Sequence, residues 1–488
     1  MRIVFAASEC VPYAKTGGLA DIMGALPAAV AKLGHDVTMY LPLYRQAQKH
    51  LQRGFTARKV AIESLTIPFE TYNRFVTVID GGRVDAVQYY FFDCPELFDR
   101  ESLYGTQAGE YSDNAERYGL YCRAVIESAK QLGVPDVIHV HDWQAGMLPV
   151  MLRTIYYFDP LMKHVPVVMT IHNAGYQGLF PAATVPHLLL PWDTFTMEKL
   201  EFYGQVNFLK GGIVYADSIA TVSPKYAEEI QTPEFGFGLD DILRKRAKDL
   251  RGILDGVDYK QWNPATDPKI AAHYTPDKLD GKVACRKDLL HAFCLDHSKM
   301  ETPVLGIVSR AATQKGFDFL AEIADRLAAE DIYLVMLSMG EPYYEKLFRN
   351  LAERYPQKIS VKIAYDETLA HKIEAGSDIF LMPSRYEPCG LNQIYSMKYG
   401  TVPVVRATGG LENTVDDYVA ETGTGTGFRF DGNNAQDFLL AIQRALKLFR
   451  DKGAWQKLMR NGMAQNFSWE APAAEYVRLY EETVRRKS

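Results

Sequence analysis

The sequence predicts an α/β protein built from two doubly wound, Rossmann-like domains. Three features predict it. Short apolar runs alternate with segments of helical spacing, the alternation occurs in two separate series, and a turn-rich stretch near 252–268 divides them. Apolar runs without a strict period of two read as strands of a parallel sheet covered on both faces.

The first forty residues show the repeating unit. Arg2 to Ser8 reads as a buried strand, followed by the loop Ala14-Lys15-Thr16-Gly17-Gly18. Leu19, Ile22, Met23, Leu26, Val30 and Leu33 then recur at helical spacing. Pro27 is expected to bend that helix and Gly34 to end it. Asp36 to Leu41 reads as the next strand and completes a βαβ unit. Residues 45–118 read as less regular, with tyrosine-rich and acidic loops. The series resumes with strands at Val137–His141, Val165–Ile171 and Ser218–Val222, then a charged helix from Leu243 to Leu250.

The break carries Gly252-Ile253-Leu254-Asp255-Gly256, Trp262-Asn263-Pro264 and Asp267-Pro268, a composition expected at a domain boundary. A helical patch at 282–294 opens the second series. Its strands are expected at Val304–Ser309, Tyr333–Leu337, Ile359–Ile363, Ile379–Met382 and Val402–Val405. The expected division is 1–253, 254–468 and a terminal helix at 469–488. In that helix Ser468 is a cap, Pro472 lies in the first turn, and Ala473, Tyr476, Val477, Tyr480 and Val484 form one apolar stripe. Such a stripe must dock, on its own domain or on the other. Two such domains facing one another leave a cleft between the carboxyl ends of their strands, where these sheets bind ligands.

Composition narrows the partners. The length of 488 residues gives a prior of about three domains, which the two series sharpen to two. With 54 Lys+Arg against 60 Asp+Glu, the net charge of −6 does not suit nucleic acid or an anionic membrane. The N-terminus lacks the pattern of a secretory signal, and no run approaches the roughly 18 apolar residues of a membrane span. Six scattered cysteines without a C-x-x-C pair read as free thiols in a reducing cytoplasm. Tyrosine leads the aromatics, with 29 Tyr, 24 Phe and 5 Trp, and presents both a flat apolar face and a hydroxyl, although a tyrosine-rich core gives the same count.

Candidate ligand-binding residues fall on loops after strands. Lys15 lies in a Gly-Gly loop whose amides and following helix start favour anions. Arg310 and Lys315 follow the first strand of the second series, where two cations can neutralise a diphosphate. The densest segment is Met382-Pro383-Ser384-Arg385-Tyr386-Glu387-Pro388-Cys389-Gly390-Leu391-Asn392-Gln393, with a helix expected from about Gly390. There Glu387 can accept from sugar hydroxyls, and glycine lets a ligand approach the helix-start amides. A second glycine-bearing loop, Thr408-Gly409-Gly410-Leu411-Glu412-Asn413-Thr414, follows the next strand. Each feature alone also fits a solvated basic turn or a carboxylate that complements a helix start.

Asp142 and His172 stand at strand ends, with His139 and His141 beside them. No cysteine or carboxylate at ligand spacing completes a metal set, so no metal is expected. Gly423-Thr424-Gly425-Thr426-Gly427 reads as a flexible loop or hairpin turn before an extended Phe428-Arg429-Phe430. The missing G-x-G-x-x-G and G-x-S-x-G patterns argue against a dehydrogenase and an α/β-hydrolase.

Taken together, AKTGGLAD (14–21), HVHDWQAG (139–146), TIHNAGYQG (170–178), FLKGGIVYADSIATVSPKYAEEI (208–230), SRAATQKGFD (309–318), MPSRYEPCGLNQIYSMKYGTVPVVRATGGLENTV (382–415) and FSWEAPAAEYVRLY (467–480) resemble bacterial glycogen synthase and plant starch synthase. The resemblance runs in order along essentially the whole chain. It implies a GT-B glycosyltransferase that moves glucose from ADP-glucose to the non-reducing 4-hydroxyl of an α-1,4-glucan, with retention and without a cofactor. It implies that Lys15, Gly17 and Gly18 meet the nucleotide-sugar, and that Arg310 and Lys315 hold the pyrophosphate. Glu387 would be the key carboxylate, with Cys389, Gly390 and Leu391 beside the donor. Asp142, His172 and Asp21 would line the acceptor side, with Tyr104 near an aromatic position of that wall. The last helix would cross back onto the N-terminal domain.

Asp255, Ala311 and Asn392 depart from the family's commonest residues; Asp255 would add negative charge near the diphosphate. The other readings are a GT-B relative acting on a small acceptor, a sugar-nucleotide epimerase and a non-catalytic glucan-binding protein.

Overall fold

A computed structural model of the chain describes residues 1–54, 59–106 and 109–487. It separates into two compact units, Met1–Gly256 with Trp469–Ser488, and Val257–Ser468. Among the described residues no helix is long and apolar enough to cross a membrane.

Unit 1 is built on a sheet of nine strands among the described residues. They are β1 (Arg2–Ala6), β2 (Asp36–Pro42), β3 (Lys59–Pro68), β4 (Asn73–Val84), β5 (Val87–Asp93), β6 (Val137–His141), β7 (Val167–Ile171), β8 (Ser218–Thr221) and β9 (Leu250–Gly252), in the order β9-β8-β7-β6-β1-β2-β5-β4-β3. Pairing is parallel from β9 across to β5. Every residue of β6 and β7 is buried, including His139, His141 and Thr170, so neither strand shows the strict apolar–polar alternation of a half-exposed strand.

The segment expected to be irregular holds the rest of the sheet. β3 and β4 pair antiparallel, and β4 joins antiparallel β5 through Asp85 and Ala86, both at positive φ. Two left-handed residues suit a tight hairpin between twisted strands. In the middle of β4 the buried Val76, Val78, Ile79 and Gly81 are interspersed with the half-buried Thr77 and Asp80, so the strand is no continuous apolar run. Helix α1 (Gly18–Lys32) runs unbroken through the buried Pro27. Pro27 offers no N–H to the carbonyl of Met23, and the thiol of Cys10 donates to that carbonyl instead, at 3.3 Å. Gly34 follows the helix at φ +90. The long helix α2 (Asn114–Leu132) packs against the sheet, and the charged segment near 243–250 is a short helix, Asp240–Lys245, followed by the edge strand β9.

Unit 2 carries β10 (Val304–Ala311), β11 (Tyr333–Gly340), β12 (Ile359–Lys362), β13 (Ile379–Met382), β14 (Val402–Arg406) and β15 (Phe428–Phe430). Their order is β12-β11-β10-β13-β14-β15 and every pair is parallel. Helix α3 (Phe317–Ala329) follows β10, α4 (Asn392–Lys398) follows β13 and α5 (Gly409–Thr414) follows β14. The turn-rich stretch is fastened to this unit. Trp262 stacks between His371 (3.7 Å) and Tyr395 (4.1 Å), and Asp267 accepts from Tyr399 (2.6 Å) and pairs with His371 (2.7 Å).

The terminal helix α6 (Glu470–Lys487) belongs to unit 1 and buries Ala473, Tyr476, Leu479, Tyr480 and Thr483. Ala473, Tyr476, Leu479 and Tyr480 join the core formed by Ile3, Phe5, Ile22 and Leu26. Tyr480 bonds the ring of His139 at 2.8 Å, and Thr483 bonds Ser218 at 2.7 Å. Tyr480→Ala is expected to cost on the order of 3–5 kcal/mol through the cavity it leaves. Tyr480→Phe strips only the partner of a buried imidazole and is expected to cost about 1–3 kcal/mol. Thermal melting of the two full-length variants checks the ranking.

Candidate active site

In unit 1 the candidate residues gather at the carboxyl ends of β1, β6 and β7. Asp142 follows β6 at φ +54, and His172 follows β7. The Asp142 carboxylate accepts the main-chain N–H of His172 at 2.7 Å. Burial pushes the Asp142 carboxyl up to about 7, against the pull of the amides of His172 and Asn173, and the charge of Glu9 adds to the rise. The ring of His172 meets the ring of His141 at 3.0 Å, and burial pushes His172 down to about 3. His139 and His141 stand well below the usual imidazole range for the same reason. All three rings are therefore neutral near pH 7. Their bonds run to Tyr480, Thr170 and one another. Among the described residues no cluster of three or more His, Cys, Asp or Glu side chains could hold a metal ion.

Lys15 reaches Asp21 at 2.6 Å, joining the loop after β1 to the first turn of α1. Gly17 is extended, with φ −153, and a side chain at Gly17 or Gly18 would meet nothing within 4 Å. Neither a left-handed backbone nor packing within the chain requires glycine at these two positions. The N–H of Gly17 is nevertheless engaged, donating at 3.2 Å to Glu9, a residue the sequence reading passed over. Tyr104 also serves Glu9, its hydroxyl donating at 2.6 Å. Asp255 is buried in unit 1 and so presents no solvent-facing charge.

In unit 2 the centre of the site is one ion pair. The ammonium of Lys315 lies 2.6 and 2.8 Å from the two oxygens of Glu387, and Ser384 donates to the same carboxylate at 2.9 Å. Glu387 is only 5% exposed. Arg310, near the end of β10, is exposed and reaches Gln314 at 3.1 Å. Ser384 is the second residue missed from sequence; its place three residues before Glu387 is the only signal.

The glycines of unit 2 act differently from the expectation. A side chain on Gly409 would fall 1.9 Å from the carbonyl oxygen of Glu387, and one on Gly410 would fall 2.1 Å from that of Cys389. Gly410 also donates its N–H to the carbonyls of Glu387 and Pro388, each at 3.1 Å. Gly409 and Gly410 therefore hold the Glu387 peptide instead of opening amides to a ligand. Gly390 sits at φ +72 against the Glu387 and Gln393 side chains, with Cys389 buried and Leu391 half-buried beside it. The helix starts at Asn392, two residues later than expected, and Asn392 donates to the carbonyl of Val308 at 2.7 Å. That bond ties α4 to β10 and gives the asparagine a use in the fold.

Residues 2–245 match the family described as starch synthase catalytic domain, and residues 296–459 match glycosyl transferases group 1. A glycogen synthase of Koribacter versatilis is 56% identical over 481 residues, spanning 99% of this chain and 98% of the relative. A glycogen synthase of Thermotoga maritima is 44% identical, spanning 99% of each chain. This chain belongs to the glycogen synthase family. The catalytic domain of starch synthase IV from Arabidopsis thaliana, solved with ADP and acarbose, matches with a TM-score of 0.89, 30% identity and 99% coverage of each chain. Sucrose-phosphate synthase from Thermosynechococcus elongatus shares the fold, with a TM-score of 0.61 at 18% identity over 99% of each chain. The architecture is thus the GT-B glycosyltransferase fold, with two α/β units and parallel sheets.

The raised Asp142 carboxyl has a consequence for stability. The folded state favours its protonated form, so its contribution is fully present below the unfolded value of about 4 and is lost as pH rises through about 7. Asp142→Asn keeps an acceptor for the His172 N–H and removes that ionisation. The melting temperature of the variant minus that of the parent is expected to grow from pH 4 to pH 8, read by thermal melts across that range.

Proposed function

We propose that the chain is a retaining glucosyltransferase that lengthens an α-1,4-glucan from ADP-glucose and releases ADP. The observation that carries this reading is the Lys315–Glu387 pair held by Ser384 at the carboxyl ends of β10 and β13. An ammonium has three donors, and two here point at Glu387, which leaves one for a phosphate oxygen. Arg310 adds a planar guanidinium suited to a second phosphate contact. Oε1 of Glu387 takes one of these bonds and Oε2 takes two, so Oε1 has acceptor capacity left for a sugar hydroxyl. Gly390 lies against the Glu387 side chain, and Cys389 and Leu391 flank it in the same loop. The starch synthase IV structure, solved with ADP and acarbose, supports a nucleotide and a glucan as ligands.

In the proposed reaction the bond between glucosyl C1 and the phosphate oxygen breaks, and its electron pair stays on ADP. Lys315 and Arg310 stabilise that growing charge, a preorganised electrostatic task. The 4-hydroxyl of the glucan attacks C1 from the same face, and its proton passes to the leaving phosphate. Asp142 and His172 line the sugar side, with Lys15, Asp21 and the open face of Gly17 and Gly18. The hydroxyl of Tyr104 is committed to Glu9, so only its ring is assigned to the sugar wall. We place the protein in a reducing cytoplasm, which suits its six free cysteines, five of them buried.

The test is nucleotide release and glucan length measured together, with ADP-glucose and UDP-glucose on a glycogen primer. ADP release matched one for one by added glucosyl units, and faster than UDP release, is expected. Release without lengthening overturns the reading. Lys315→Ala and Glu387→Ala are each expected to fold and to lose about 10²–10³-fold in turnover.

A further inference from the structure

Glu9 lies three residues beyond β1, is 4% exposed and takes four donors on one carboxylate. Oε2 accepts the N–H of Thr16 at 2.5 Å and that of Gly17 at 3.2 Å. Oε1 accepts the hydroxyl of Thr16 and that of Tyr104, both at 2.6 Å. A carboxylate has about four acceptor sites, so these bonds fill it and leave nothing for a substrate hydroxyl. Because Tyr104 gives its proton to Glu9, the hydroxyl of Ser8, 2.7 Å away, must donate to Tyr104.

Consecutive backbone amides before a helix are what an anion seeks in such a loop. Here the anion is the chain's own side chain. With Thr16 and Gly17 pinned and Ala14 bonded to the carbonyl of Cys10 at 2.9 Å, Lys15 is held on both sides and extends to Asp21. The same carboxylate fixes Tyr104, 95 positions along the chain.

We propose that Glu9 is a positioning residue for glucosyl transfer, clamping the Lys15 loop and Tyr104 together, and that the amides of Thr16 and Gly17 serve this clamp and not the donor's phosphates. The inference rests on the glucosyltransferase reading. Glutamine keeps the size of Glu9 but turns one oxygen into an NH₂ group facing donors, so the loop must turn away. Glu9→Gln is expected to lower kcat/KM for transfer about 100-fold, a loss typical of misplaced reacting groups. Its ADP affinity, measured by calorimetry, stays within about twofold, because ADP is assigned to Arg310 and Lys315 in unit 2.

Thr16→Val, which keeps the amide and loses the hydroxyl, is expected to fall about tenfold, the equivalent of one lost hydrogen bond to a charged group. Thr16→Ser is expected to restore the parent's rate. Parent-like transfer in Glu9→Gln overturns the inference. So does tighter ADP binding in that variant, which would mean that Glu9 competes with phosphate for the amides. Should Glu9→Gln fail to fold, parent-like transfer in Thr16→Val overturns it equally. An unmutated protein that adds no glucose to glucan refutes the underlying reading instead, so the two failures are told apart.

Discussion

Backbone packed directly on backbone around Glu387 is the constraint on which the unit 2 site depends. Three loops at the carboxyl edge of the sheet touch because three positions lack a side chain. A side chain on Gly316 would lie 2.0 Å from the carbonyl of Pro383, and Gly409 and Gly410 meet Glu387 and Cys389 equally closely. Gly316 and Gly409 also hold positive φ, which glycine adopts without strain. The stacking fixes the peptide of Glu387 from two sides and brings Lys315, one residue before Gly316, into contact with its carboxylate. Position here comes from main chain, which moves less than a long side chain.

Unit 1 reaches the same end by other means. Its polar residues are buried in bonds with one another, and burial sets their charge states. Three neutral histidines, a carboxyl shifted toward neutrality at Asp142 and a Glu9 carboxylate met by four neutral donors make up this polar wall. The main local cation, Lys15, is matched by Asp21. A wall of this kind suits the proposed neutral polyglucan, and the cations Arg310 and Lys315 of unit 2 suit the proposed diphosphate.

The parts legible in the sequence share one property: the local pattern and the tertiary environment say the same thing. β1 and β13 are short apolar runs buried almost throughout, and the stripe on α6 meets a core at helical spacing. The β3–β4 hairpin is hard to read because one face is exposed, so polar residues interrupt each apolar run. Lys15, Asp142, His172, Lys315 and Glu387 are legible as chemistry at strand ends. Glu9 and Ser384 are not, since a clamp is defined by its donors and those of Glu9 come from positions as distant as Tyr104. The glycines are the instructive reversal. Gly17 and Gly18 look alike in sequence to Gly409 and Gly410, yet the first pair faces open space and the second faces backbone.

In the proposed reaction the 4-hydroxyl of the glucan attacks the face of C1 from which the nucleotide departs. The most direct measurement is NMR of glucan extended from ADP-glucose labelled with carbon-13 at C1. New α-1,4 linkages, with every label in the α-anomeric region, are expected. Label in β linkages would contradict that reaction.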